Sequence, residues 1–432
     1  MFVSDALGVN QLDHLTIGGA DTVELAAVYG TPLYVMDEEL IRKNARAFRE
    51  SIEQYYDGNG HVAFASKAFC CKEICRIMQQ EGLWLDVVSG GELYTALSAG
   101  FPAENIVFHG NNKSVEELAE ALNKNVGRIV VDHFFELELL NQLALAAGKT
   151  ADIMLRVKPG VEAHTHSYIQ TGQIDSKFGF ALETGEALEA IRQAISLPNL
   201  NLRGLHCHIG SQIFEITSFT IAARVMLGLA AQAKSQLGWE MQELNLGGGF
   251  GIKYLSEHTP TAYEDYMKAV SRTIRDTCRQ LNLALPCIMI EPGRSIVGSA
   301  GITLYTIGAI KEIPGIRTYL SVDGGMADNP RYALYQSEYE MLLAARATAP
   351  KTERYTVAGR CCESGDLLGK DIPLPKSQVG EVLAVLATGA YNYSMASNYN
   401  RLPKPAVVMV KGGKARVVVR RETYEDVASH DI

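Results

Sequence analysis

Short runs of aliphatic and β-branched residues recur along the first two thirds of the chain. They are His61–Ala65, Trp84–Val88, Ile106–His109, Arg128–Asp132, Ile153–Val157, Gly204–Ile209, Leu244–Leu246 and Ile288–Glu291. Between most of them lie stretches whose apolar positions repeat with a helical period, such as Ser114–Asn123, Phe134–Ala147 and Ala262–Leu281. Strands alternating with helices predict parallel βαβ units. Eight such units close into a barrel of ~250 residues, close to the span from Tyr34 to Arg294. The competing arrangement, an open doubly wound sheet, is usually marked by G-x-G-x-x-G after its first strand, and that motif is absent.

After Arg294 the pattern changes. GITLYTIGAIKEI, RTYLSVDGG, RYTVAG, EVLAVLATG, PAVVMV and ARVVVRR alternate as strands with turn-like joints. The predicted fold class is therefore α/β: an eight-stranded parallel (β/α)8 barrel at 34–294 followed by an all-β C-terminal domain at 295–432. Residues 1–33 are expected to pack with the β domain. The longest interruption, Pro159–Phe180, is polar and follows the fifth strand. It predicts a lid whose part His164–Phe180 orders when substrate excludes water.

Bulk composition narrows the function. The chain has 432 residues, a net charge of −9, 47% hydrophobic and 21% charged residues. The acidic balance argues against a general nucleic-acid partner. Eight cysteines form no C-x-x-C pair and no disulfide framework. The first residues resemble no signal peptide, and no apolar run is seen to approach ~18 residues, so no membrane span and a reducing cytoplasm are expected.

Chemistry in such a barrel gathers at the C-terminal ends of the strands. Those positions hold Lys67, Asp86, His109, Arg156, His208, Gly247–Gly249 and Glu291. Each has an ordinary explanation alone: a solvated lysine, a helix-capping Asp86, a salt bridge between Glu291 and Arg294, a tight glycine turn. Together they point to one site. Lys67 ends an apolar strand, where partial desolvation would lower its pKa and permit a Schiff base. The glycines let backbone approach a phosphate, with amide donors at a helix N-terminus. A carboxylate at Glu291 could keep a pyridine nitrogen protonated. His206 and His208 share a face, which suits a metal as well as a stacked ring. A metal-dependent barrel hydrolase is the rival reading, although lysine, arginine and glycine stand where further ligands would be. Cys362, in CCESGD, reads equally as a small buried residue.

Ten segments in order carry a resemblance: FASKAF, LDVVSGGEL, HGNNKS, HTHSYIQTGQIDSKFGF, HCHIGSQI, LNLGGGFGI, EPGRSIVG, SVDGGMADNPRYALY, GRCCESGD and GAYNY. From Tyr34 to about Val408 the chain resembles the alanine-racemase-like, fold type III pyridoxal-phosphate enzymes, and within them the diaminopimelate decarboxylase family. The resemblance implies pyridoxal 5'-phosphate as cofactor, meso-diaminopimelate as substrate and a homodimer with shared sites. It implies that Lys67 forms the Schiff base and that His208 stacks on the ring. Ser211 and the Gly247–Gly249 loop hold phosphate, and Asp86, Gly293 and Arg294 lie with the cofactor. Glu291 faces the ring nitrogen. Tyr391 reaches cofactor and substrate, and Arg294, Arg331, Tyr335 and Glu363 hold substrate. Cys362 of the second copy gives the proton. Phe64 stands where the family commonly has Tyr, which keeps packing and loses a hydroxyl. The alternative is a same-fold decarboxylase of another basic amino acid or of carboxynorspermidine.

Overall fold

The computed structural model describes residues 2–161 and 176–432. Most of the expected lid, His164–Phe180, lies outside the described residues. Two compact units divide the chain: 1–44, 252–259 and 294–432 form one, and 45–251 with 260–293 form the other.

The second unit is the barrel. Its strands are β1 (Gly60–Ala65), β2 (Trp84–Val87), β3 (Ile106–Phe108), β4 (Arg128–Val131), β5 (Ala151–Lys158), β6 (Leu200–His206), β7 (Glu243–Asn245) and β8 (Cys287–Ile290). Each pairs in parallel with the next, and β8 returns to β1 through Ile288–Gly60 and Ile290–Val62. All eight apolar runs read from the sequence are strands of this closed sheet. Ala63, Val107, Val130, Met154 and Met289 form a buried cluster with Trp84 against it. Burying one such aliphatic side chain contributes about 1.5–3 kcal/mol. Gly204 is required: a Cβ there would stand 2.0 Å from the Glu243 carbonyl oxygen, and the β5–β6 register shifts between Leu202 and Gly204.

The outer helices follow their local signals. Val115–Lys124 starts at Ser114, whose hydroxyl and Glu117 form a capping box. An aromatic layer lies under Tyr263–Leu281, with Phe219 stacked on Phe250 at 5.0 Å and Phe48 on Tyr263 at 4.3 Å. Such pairs add about 0.5–1.5 kcal/mol each beyond their buried area. One expectation needs correction. Helix Ile216–Leu237 has 22 residues and a mean hydropathy of 1.3 in its most apolar window, enough by length and composition to cross a membrane. Half of that window is buried inside the protein, and Phe219, Ala223, Met226 and Ala230 are among its buried residues, as in the core helix of a barrel.

The other unit is mostly β. Its main sheet runs Leu367–Leu374, Glu353–Ala358, Arg317–Val322, Gly301–Ile313, Leu33–Asp37, Ala406–Lys411, Lys414–Val419. Leu33–Asp37, buried at all five positions, pairs antiparallel with Gly301–Ile313 and parallel with Ala406–Lys411. The barrel boundary expected at Tyr34 thus falls within a strand of the β sheet, and the first segment of this unit runs to Asn44.

Candidate active site

At the C-terminal ends of the barrel strands the polar side chains converge on Glu291, the residue after β8. Its Oε1 is 2.6 Å from Asn245 Nδ2 and 2.7 Å from His109 Nε2. Its Oε2 is 3.2 Å from His206 Nε2. Burial pushes this carboxyl up, but the His109 and His206 rings outweigh it and hold it well below the usual carboxylate range. The same burial pushes the His206 imidazole down to about 4, against the pull of Glu291. Asp86, buried on β2, is raised by burial against the attraction of His109, whose Nε2 lies 3.8 Å away. His109, His206 and Glu291 are also the one group of three metal-competent donors within reach of each other among the described residues.

The two histidines of HCH part company. His206 ends β6 and turns to Glu291, whereas His208 Nδ1 accepts from the Gly248 amide at 3.2 Å. His208 sits well below its ordinary pKa, first through burial and then through Lys67 and Arg156. The glycine loop is a backbone cradle. A Cβ at Gly248 would meet the Glu291 carbonyl at 2.1 Å, and one at Gly249 (φ +110°) the Gly210 carbonyl at 2.4 Å. Ser211 follows that Gly210 contact. Gly293 lies against Ala65, where a Cβ would approach within 2.9 Å. The expected helix N-terminus is not here. After Gly251 the chain leaves the barrel unit, and the next helix starts only at Tyr263.

Lys67 lies in the turn Ser66–Ala68 directly after β1. The desolvation expected for it is not found: Lys67 is exposed while Ser66 and Ala68 are buried, because the turn breaks the strand before the lysine. Arg156, on β5, has its guanidinium 4.2 Å from the Phe178 ring and 3.9 Å from Asp132.

The β unit holds the remaining candidates. Arg294, buried, donates to the Tyr254 hydroxyl. Its guanidinium is 4.7 Å from the Tyr391 ring, and that of Arg331 is 5.4 Å from the same ring and 5.3 Å from Tyr335. Two cations flank one tyrosine whose backbone has φ +64°, a conformation unusual for a bulky residue and typical of functional sites. In CCESGD it is Cys361 that is buried. Cys362 and Glu363 are exposed, so the small-buried-residue explanation fits the wrong cysteine. Asp366 is tied down as well: it accepts from the Met326 and Cys361 amides at 2.6 Å each. Asn400 Oδ1 accepts from the Cys362 amide at 2.7 Å.

Sequence reasoning missed Asn245, Tyr254, Asp366 and Asn400. Asn245 had a usable signal, a polar side chain closing an apolar strand just before the glycines.

A buried ionised carboxylate, a histidine beside it and a glycine cradle fit a phosphorylated pyridine cofactor. Residues 38–298 match the pyridoxal binding domain of the pyridoxal-dependent decarboxylases, and fold and site define a pyridoxal-phosphate-dependent decarboxylase. The chain is 50% identical over its whole length to diaminopimelate decarboxylase of Bacillus subtilis, covering 98% of it. It superposes on diaminopimelate decarboxylase of M. jannaschii solved with L-lysine (TM-score 0.93, 36% identity, 100% and 99% of the two chains). It does so too on the Helicobacter pylori enzyme with L-lysine (TM-score 0.85, 31% identity, 94% and 98%). The chain belongs to the diaminopimelate decarboxylase family.

Proposed function

We propose that the chain decarboxylates meso-2,6-diaminopimelate to L-lysine and carbon dioxide, the last step of lysine biosynthesis, with the residue roles set out below. The observation that carries the reading is Glu291, a buried carboxylate held among Asn245, His206 and His109 at the C-terminal ends of the barrel strands.

Bound pyridoxal phosphate supplies a sink for the electron pair left when carbon dioxide departs. Lys67 is the amine that holds the cofactor's aldehyde. Glu291 would keep the ring nitrogen protonated, His208 would lie against the ring, and Asp86 would stand beside them. Ser211, the amides of Gly248 and Gly249, and the Gly293–Arg294 turn hold phosphate. Arg294 and Arg331 fork onto the distal carboxylate, Tyr335 and Tyr391 line it, and Glu363 takes the distal ammonium. L-Lysine keeps that distal head and has lost only the carboxylate at the cofactor-bound end. Cys362 of a second copy delivers the proton that replaces the lost carboxylate. Eight free cysteines support a reducing, cytoplasmic setting.

Borohydride reduction of the holoenzyme followed by peptide mapping should place the pyridoxyl label on Lys67, and carbon dioxide should be released faster from diaminopimelate than from ornithine or arginine. A label elsewhere, with Lys67→Ala still active, overturns the assignment. Co-expressing Lys67→Ala with Cys362→Ala tests the shared site. Random pairing makes half the dimers mixed, each with one intact site of two, so activity should return to about a quarter of wild type. No recovery above the single variants refutes sharing.

A further inference from the structure

Glu291 is met by polar side chains from three other strands of the barrel. The donors come from the ends of three strands: His109 after β3, His206 on β6 and Asn245 on β7. An ionised carboxylate offers about four acceptor positions. Asn245 takes one on Oε1, with His109 Nε2 in close ionic contact at 2.7 Å, and His206 takes one on Oε2. One position on Oε2 is left over.

The histidine chemistry agrees. His206 Nδ1 is buried with no hydrogen-bond partner. With Nε2 donating to Glu291, the neutral ring leaves a bare lone pair there rather than an unmatched N–H, the rarer and costlier defect. The His109 ring stands edge-on to His206 at 4.7 Å, so the two imidazoles pack on one another beside the carboxylate.

We propose that His109, His206 and Asn245 are positioning residues that hold Glu291 ionised, with its remaining lone pair directed at the cofactor's ring nitrogen, and thereby set the protonation of that nitrogen. The proposal rests on the assignment of Glu291 to the ring nitrogen. Each donor lowers the proton affinity of the carboxylate. Removing donors raises it, so the shared proton moves from ring to Glu291 and the electron sink weakens.

The test uses holoenzyme reconstituted with cofactor carrying 15N in the ring. The wild type should show the resonance of a protonated pyridine, and Glu291→Gln that of a neutral one. His206→Leu combined with Asn245→Leu should move the resonance toward the neutral position. His206→Gln keeps an N–H donor and should hold it at the wild-type position, which a purely space-filling role for His206 does not predict. For the leucine variants kcat should fall on the order of tenfold with KM little changed, as for outer-shell partners of other bound cofactors. Should the double variant unfold, each single leucine variant carries the same prediction at smaller amplitude. Wild-type resonances in the leucine variants, with Glu291→Gln shifted, overturn the positioning role and leave the Glu291 assignment standing. An unshifted Glu291→Gln overturns the assignment, and the proposal with it.

Discussion

The two ends of the barrel are built from similar charges and treat them oppositely. At the N-terminal end Arg128, which opens β4, lies 2.7 Å from Glu243 and 3.2 Å from Asp152. Asn201 adds a bond to Asp152, and His61 stacks on Trp84 at 4.3 Å. Burial pulls the Arg128 pKa down, yet the bond to Glu243 outweighs it and leaves the guanidinium more firmly charged. At the C-terminal end Asp86 Oδ1, Asp132 Oδ1 and His206 Nδ1 are buried without a hydrogen-bond partner. One end is an ionic plug whose charges answer each other. The other is left short of partners, as expected where a ligand completes the set.

The contrast can be broken at either end. The largest effect is expected at the top: Lys67→Ala should lower kcat/KM on the order of a thousandfold or more while thermal melting barely moves. At the bottom, Arg128→Ala leaves the buried Glu243 with only Arg203 at 3.6 Å and should cost about 1–3 kcal/mol in denaturant unfolding, with kcat of the folded protein unchanged. A large kcat loss from that change would erase the distinction between the ends.

Acidity sharpens it. The folded His206 pKa is depressed from 6.5 to about 4, so between those values the unfolded chain binds a proton that the folded chain does not. Stability should therefore fall as pH drops through that window, by up to about 3 kcal/mol, and His206→Gln should flatten the slope. An unchanged slope in that variant would remove His206 as its source. The smallest effect is expected from His61→Phe, which keeps the stack on Trp84. It should stay within about 1 kcal/mol of wild type and leave turnover alone.

The barrel was legible because each strand is a short, locally apolar run and eight of them leave few closures open. The strand-end residues followed from that register. What stayed hidden depends on distant partners. Leu33–Asp37 reads like the start of a barrel, and only its pairing with Gly301–Ile313 puts it in the β sheet. Asn245 looks ordinary until Glu291 arrives beside it. The exposure of Lys67 follows from a three-residue turn that strand periodicity does not encode.

The stretch Ile252–Thr259 has a consequence for modularity. It belongs with the β unit although barrel segments flank it on both sides. Its Ile252 and Tyr254 are buried, and Tyr254 receives the Arg294 hydrogen bond there. Neither unit is therefore one continuous piece of gene. A fragment cut at 45 and 293 would carry those eight residues away from their packing, expose an isoleucine and a tyrosine to water, and break the Arg294–Tyr254 hydrogen bond. A barrel transplanted on its own would therefore need its 252–259 stretch redesigned.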